Sequence, residues 1–106
     1  IKDFKNLRTL DLASNEIEEI PIWIGELKNL GTLVLFDNLL KTIPDNIGEL
    51  KNLKELILDD NLLENIPESL TQCKKLIHLD LSRNKLSEAN KEKIKQPFSY
   101  IQELIL

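Results

Sequence analysis

The sequence predicts an α/β solenoid, a horseshoe arc with a short parallel sheet on its concave face and an irregular, 3-10-rich convex side. Three observations predict it. Asn15, Asn38, Asn61 and Asn84 recur every 23 residues, and Pro21, Pro44 and Pro67 keep the same interval. Four segments share the spacing Leu-x-x-Leu-x-Leu-x-x-Asn, beginning at Leu7, Leu30, Leu53 and Leu76. Leu and Ile supply 35 of the 106 residues while aromatics are only 5%, which suits a core built from one small apolar unit repeated. Self-similarity at a fixed period is the signature of stacked repeats.

Each element follows from local chemistry. Leu-x-Leu is a period-two pattern, which sends both leucines to one face of a strand. Strands are therefore expected at 9–12, 32–35, 55–58, 78–81 and 103–106, stacked in parallel with their leucines inward. The fifth copy, Ile101-x-x-Leu104-x-Leu106, comes 25 residues after Leu76, so its unit carries a two-residue insertion. Pro21, Pro44 and Pro67 remove amide donors and favour a tight, non-strand return path. Ile17, Ile20, Ile24, Leu27 and their equivalents fill the core from the outer wall. No unit can bury such a face alone, so neighbour stacking supplies the stability.

After Leu86 the character changes. Ser87 is a good N-cap, Glu88 suits the positive end of a helix, and Lys93 and Lys95 suit the negative end. Pro97 stops it. Residues 87–106 are thus expected to form a polar C-terminal capping unit of a single domain spanning 1–106. Ile1 and Phe4 fall in register with Ile24 and Leu27, so the chain opens partway through a repeat, and an N-terminal cap is expected to be missing. Ile22 and Trp23 replace polar outer-wall residues of later repeats (Asp45 and Asn46, Glu68 and Ser69) and are expected to be exposed there or covered by the missing upstream region.

The longest motif is Ile20-Pro21-Ile22-Trp23-Ile24-Gly25-Glu26-Leu27-Lys28-Asn29-Leu30, repeated as Ile43-Pro44-Asp45-Asn46-Ile47-Gly48-Glu49-Leu50-Lys51-Asn52-Leu53. A third copy, Ile66 to Leu76, puts Thr71 in place of Gly and Cys73 in place of Leu. These motifs resemble the leucine-rich repeat family, in particular its 23-residue bacterial class familiar from spirochaetes. The resemblance implies a recognition module of a secreted or cell-surface bacterial protein that meets host proteins. It names no ligand, since one fold carries many functions.

Composition narrows the function. The formal charge is −4, with no basic run of the kind nucleic-acid binders carry. No apolar run is long enough to span a membrane. Cys73 and His78 could suggest a nucleophile and its base. Register separates them: Cys73 takes the buried outer-wall slot of Leu27 and Leu50, and His78 faces outward from a strand. No catalytic residue, cofactor or metal site is assigned. His78 lies between Glu55 and Glu103 in one row, and a wet acidic surface accounts for that better than a metal ligand set. The ladder of Asn15, Asn38, Asn61 and Asn84 is read as structural, each amide turned inward onto turn backbone.

Positions between the inward leucines face the concave surface, unconstrained by the core. The first row is Thr9, Thr32, Glu55, His78 and Glu103, and the second is Asp11, Val34, Ile57, Asp80 and Ile105. At the strand exits lie Ala13, Phe36, Asp59 and Ser82, then Ser14, Asp37, Asp60 and Arg83. Val34, Phe36 and Ile57 form an apolar cluster that Leu39 and Leu62 extend, and clustered exposed apolar residues mark interaction sites. The four rows hold seven acids and one base, a formal −6, leaving 11 acids and 13 bases, or +2, for the rest of the chain. The expected function is therefore non-catalytic recognition of a protein, basic in character, through Val34, Phe36, Asp37, Glu55, Ile57, Asp59, Asp60, His78, Asp80 and Arg83. The alternative is a structural segment of a longer repeat protein, or one that self-associates through its N-terminal edge.

Overall fold

The computed structural model describes residues 4–106, so Ile1, one of the two residues placed in register at the N-terminus, lies outside the described residues. Five strands appear in chain order: β1 (Thr9–Asp11), β2 (Thr32–Val34), β3 (Glu55–Ile57), β4 (His78–Asp80) and β5 (Glu103–Ile105). They form one open parallel sheet in the order β1-β2-β3-β4-β5. The register is the one the repeat demands, with Thr9, Thr32, Glu55, His78 and Glu103 paired in one row and Asp11, Val34, Ile57, Asp80 and Ile105 in another.

Each strand ends one residue earlier than the leucine pattern suggests, and after β1 to β4 a ladder asparagine captures the next carbonyl. Leu35 N still donates to Ile57 O at 2.8 Å. Its own carbonyl, however, accepts from Asn38 Nδ2 at 3.1 Å and from Asn61 Nδ2 at 3.0 Å, so it leaves the strand ladder. The same pair of amides, from Asn61 and Asn84, meets Leu58 O.

The return path runs through 3-10 turns at Ile22–Glu26, Asp45–Glu49 and Glu68–Gln72. Each is preceded by its proline in extended conformation, where a missing N–H leaves no bond unmade. The proline carbonyls accept from Ile24, Ile47 and Leu70 N at 3.0–3.2 Å. These turns pack closely at the glycines: a Cβ built on Gly48 would lie 2.5 Å from Ser69 O. The third turn carries Thr71 where the others have glycine. No fourth 3-10 turn stacks on it, and Thr71 instead donates to Glu68 O at 2.7 Å beside a shallow cleft shared with Ile94 and Phe98.

Helix α1 (Glu88–Lys95) replaces the fourth turn, with the Ser87 hydroxyl accepting from Asn90 N at 3.1 Å. Ile94, Phe98 and Ile101 close the core there. Phe98 follows Pro97, outside any repeat register, and the periodic pattern gave no signal for it. The inward leucines of β2, β3 and β4 are fully buried, whereas Leu7, Leu10, Leu12 and Ile17 of the first unit are half-buried. One expectation needs correcting here. Ile22 is exposed (81%), but Trp23 is half-buried, packed against the core beside a recess of about 190 Å³ lined by Phe4, Leu7, Leu10 and Leu27. Asn46 and Ser69, at the same repeat position, are half-buried too, so this outer-wall position is partly covered in each of the three units.

Candidate functional site

The ladder asparagines shape the exit of every strand. Asn61 Nδ2 donates to Leu35, Leu58 and Asp59 O, and its Oδ1 accepts from Leu40 N at 3.0 Å. Asn38 and Asn84 repeat the arrangement, accepting from Ile17 and Leu63 N. Asn15 reaches only Leu12 and Ala13 O. The residue before each Asn sits in the left-handed region: Ser14, Asp37, Asp60 and Arg83 have φ of 53–58°. Asp tolerates this conformation through local hydrogen bonding better than most residues do. That backbone reversal points the side chains of the exit rows out over the sheet face.

On this face Phe36 is 36% exposed and Leu39 40% exposed, while Val34 and Ile57, direct partners across β2 and β3, are half-buried. Leu62, which the sequence joined to this group, is also half-buried. The register thus sets Val34 and Ile57 side by side across the second and third units.

The charges are arranged less freely than their number suggests. Arg83 grips two acids, with Nη2 at 2.8 Å from Asp59 Oδ2 and Nε at 2.8 Å from Asp60 Oδ1. Asp59 is buried, 8% exposed. Burial raises its pKa above the usual carboxylate value, the nearby Asp80 adds to this, and Arg83 opposes it. Arg83 is in turn held above its ordinary pKa, chiefly by its hydrogen bond to Asp60. Asp80 Oδ1 accepts from Ser82 N and Oγ. Asp37, beside Phe36, forms no ion pair among the described residues.

His78 Nδ1 lies 3.4 Å from Glu103 Oε1, while Glu55 turns the other way and accepts from Thr32 Oγ1 at 3.0 Å. Among the described residues no group of three or more His, Cys, Asp or Glu could hold a metal ion. Cys73 is buried on the far side of the strand layer, its Sγ 3.3 Å from Ile47 O, and burial pushes its thiol up to about 11. His78 and Cys73 are therefore not brought together. No helix among the described residues is long and apolar enough to cross a membrane.

The family profile described as Leucine rich repeat matches residues 28–86 and 51–96, and one described as Leucine Rich repeats (2 copies) matches residues 5–48. The chain belongs to the leucine-rich repeat family. Among solved structures, a leucine-rich repeat protein of Leptospira interrogans is 37% identical with a TM-score of 0.88, covering 94% of this chain and 25% of its own. The BIR3–SERK2 complex of Arabidopsis thaliana offers a chain 39% identical with a TM-score of 0.71, covering 82% of this chain and 50% of that one. A plant peptide hormone receptor in complex with RGF2 is 32% identical with a TM-score of 0.72, over 78% of this chain and 14% of that chain. The leucine-rich repeat chain described here thus spans between about a seventh and a half of these proteins. No curated protein sequence matches it.

A further row that the leucine pattern does not single out, Arg8, Gly31, Lys54 and Ile77, lies one position before β1 to β4. It lines a cleft at the edge where the strands begin.

Proposed function

We propose that this leucine-rich repeat domain is a non-catalytic recognition module that binds a protein on its concave sheet face. The observation that carries the reading is the Phe36 group. A phenyl ring and Leu39 stand exposed over half-buried Val34 and Ile57, with the unpaired Asp37 beside them. Phe36 is the anchor, and large apolar or aromatic side chains near the centre of a contact carry most binding energy. Asp37 steers a partner that is basic near its point of contact, so association weakens as salt rises. Asp59 and Asp60 hold Arg83 in place and contribute the shape of the rim more than free charge. Glu55, His78 and Asp80 form the flanking floor on β3 and β4. The two plant complexes named above are themselves protein or peptide complexes of similar repeats, which supports the class of function. The basic character of the partner follows from Asp37, and a host origin for it follows from the bacterial resemblance.

Affinity capture with three baits tests this. The native chain and Ile22→Ala, altered on the convex side, should retain the same protein, and Phe36→Ala should lose it. Equal capture by Phe36→Ala would place the site elsewhere.

The half-buried first unit favours a second reading, self-association through Phe4, Leu7, Leu10 and Trp23. Sedimentation over a range of concentrations separates the two: this reading predicts dimers without any ligand, and recognition through Phe36 does not require them.

A further inference from the structure

The edge where the strands begin carries a second site of opposite charge. A cleft of about 360 Å³ opens there, and Arg8, Lys54 and Lys75 bring three cations to it against the single acid Glu55. Its floor is rigid. Arg8 O accepts from Gly31 and Thr32 N, Gly31 O from Lys54 and Glu55 N, and Lys54 O from Ile77 and His78 N, all at 2.8–3.1 Å.

The opening exists because position 31 has no side chain. That absence is not a backbone requirement: Gly31 has no positive φ, and a Cβ there would meet only Arg8 O at 3.6 Å and Asn52 O at 3.9 Å, ordinary contacts. The other two glycines contrast with it, each blocked by a neighbour at 3.0 Å or closer. A side chain at position 31 would fill the space between Arg8 and Lys54.

The cations around the cleft are not held in ion pairs. Among the described residues Arg8, Lys54 and Lys75 form no ion pair, and Lys75 spends one proton on Asn52 Oδ1 at 2.9 Å. Three lysines of the adjoining turns are occupied. Lys28 pairs with Glu49 at 3.2 Å, Lys51 donates to Gly48 O and Gln72 Oε1, and Lys74 lies over the Tyr100 ring.

The geometry points to a carboxylate site in which the Gly31 cleft receives an acidic side chain of a partner polypeptide, held between Arg8 and Lys54 with Lys75 behind. Two features select this ligand. Ile77, 45% exposed on the cleft wall, offers apolar contact to the rest of an amino-acid segment. The acidic exit rim lies only about 10–15 Å away along the strands, so a polyanion much longer than a short peptide would be repelled as it left the site. The site needs nothing from the Phe36 group and stands or falls separately.

Capped hexaglutamate, hexaglutamine and inorganic phosphate, each titrated into the isotopically labelled chain and followed by amide NMR shifts, test it. Hexaglutamate should move Gly31, Thr32, Lys54 and Lys75, and hexaglutamine should not. Lys54→Gln should weaken binding about tenfold, Gly31→Leu should abolish it at an unchanged melting temperature, and Phe36→Ala should leave it intact. Shifts scattered over Lys41, Lys85 and Lys93, undiminished binding in Lys54→Gln or Gly31→Leu, or phosphate acting at the same concentrations as hexaglutamate would each overturn the assignment.

Discussion

Replacing Asn61 with Ala should destabilise the domain far more than replacing Asn15, although the two occupy the same repeat position. The structure gives the reason bond by bond. When Asn61 is truncated, Leu35 O keeps Asn38 Nδ2, Leu58 O keeps Asn84 Nδ2, and Asp59 O keeps Asp37 N. One group is orphaned: the N–H of buried Leu40, whose partner was Asn61 Oδ1 at 3.0 Å. A buried donor left without a partner costs about 1–3 kcal/mol. Asn15 donates only to Leu12 and Ala13 O near solvent, Leu12 O also accepts from Asn38, and Asn15 Oδ1 accepts nothing among the described residues. Its removal should cost under about 1 kcal/mol. Urea unfolding of both variants, with the slope held common, measures the difference. Equal losses would show that the ladder acts through the carbonyls and not through the donor in the preceding unit.

Three further outcomes follow from the same coordinates. Alanine at the three glycines should rank in cost as Gly48, Gly25, Gly31. The new Cβ would meet Ser69 O at 2.5 Å, Asn46 Nδ2 at 3.0 Å and only ordinary contacts respectively, so thermal melts should show about 1–3 kcal/mol lost at Gly48 and almost none at Gly31. Cys73, buried with its thiol pushed up to about 11, should resist alkylation at pH 8 until the chain unfolds, with labelling tracking the unfolded fraction. Burial holds the pKa of folded Asp59 above the ordinary aspartate value of 3.8, so the folded state holds this proton more tightly than the unfolded one. Its contribution is therefore most favourable below 3.8 and is lost as pH rises through the raised value, and Asp59→Asn should flatten that part of the stability profile.

Much of the fold could be read from the sequence because each unit must bury the same face. The strand rows of Thr9 to Glu103 and Asp11 to Ile105 came directly from the 23-residue period, and the paired register follows it residue for residue. Helix α1 was legible from Ser87 and Pro97, which act locally. The strand ends were not, because the leucine after each strand keeps the inward pattern while its carbonyl leaves the ladder, which a residue pattern does not report. Nor was the state of the rim charges. Asp59, Asp60 and Arg83 read as three independent surface groups, yet Arg83 comes from a different repeat and folds both acids into one cluster. The half-burial of Trp23 was not legible because the polar residues at the same position, Asn46 and Ser69, suggested open surface, yet they are half-buried too where successive turns stack. The Gly31 cleft lay within the same period, visible as a missing side chain between Arg8 and Lys54.

The central claim is that Phe36 anchors a protein partner on the concave face. The measurement that tests it most directly is the dissociation constant of a captured partner for the native chain, Phe36→Ala and Ile22→Ala at equal salt. Loss of the ring should weaken binding by about 2 kcal/mol or more, roughly thirtyfold, with Ile22→Ala unchanged. An affinity for Phe36→Ala equal to that of the native chain would contradict it.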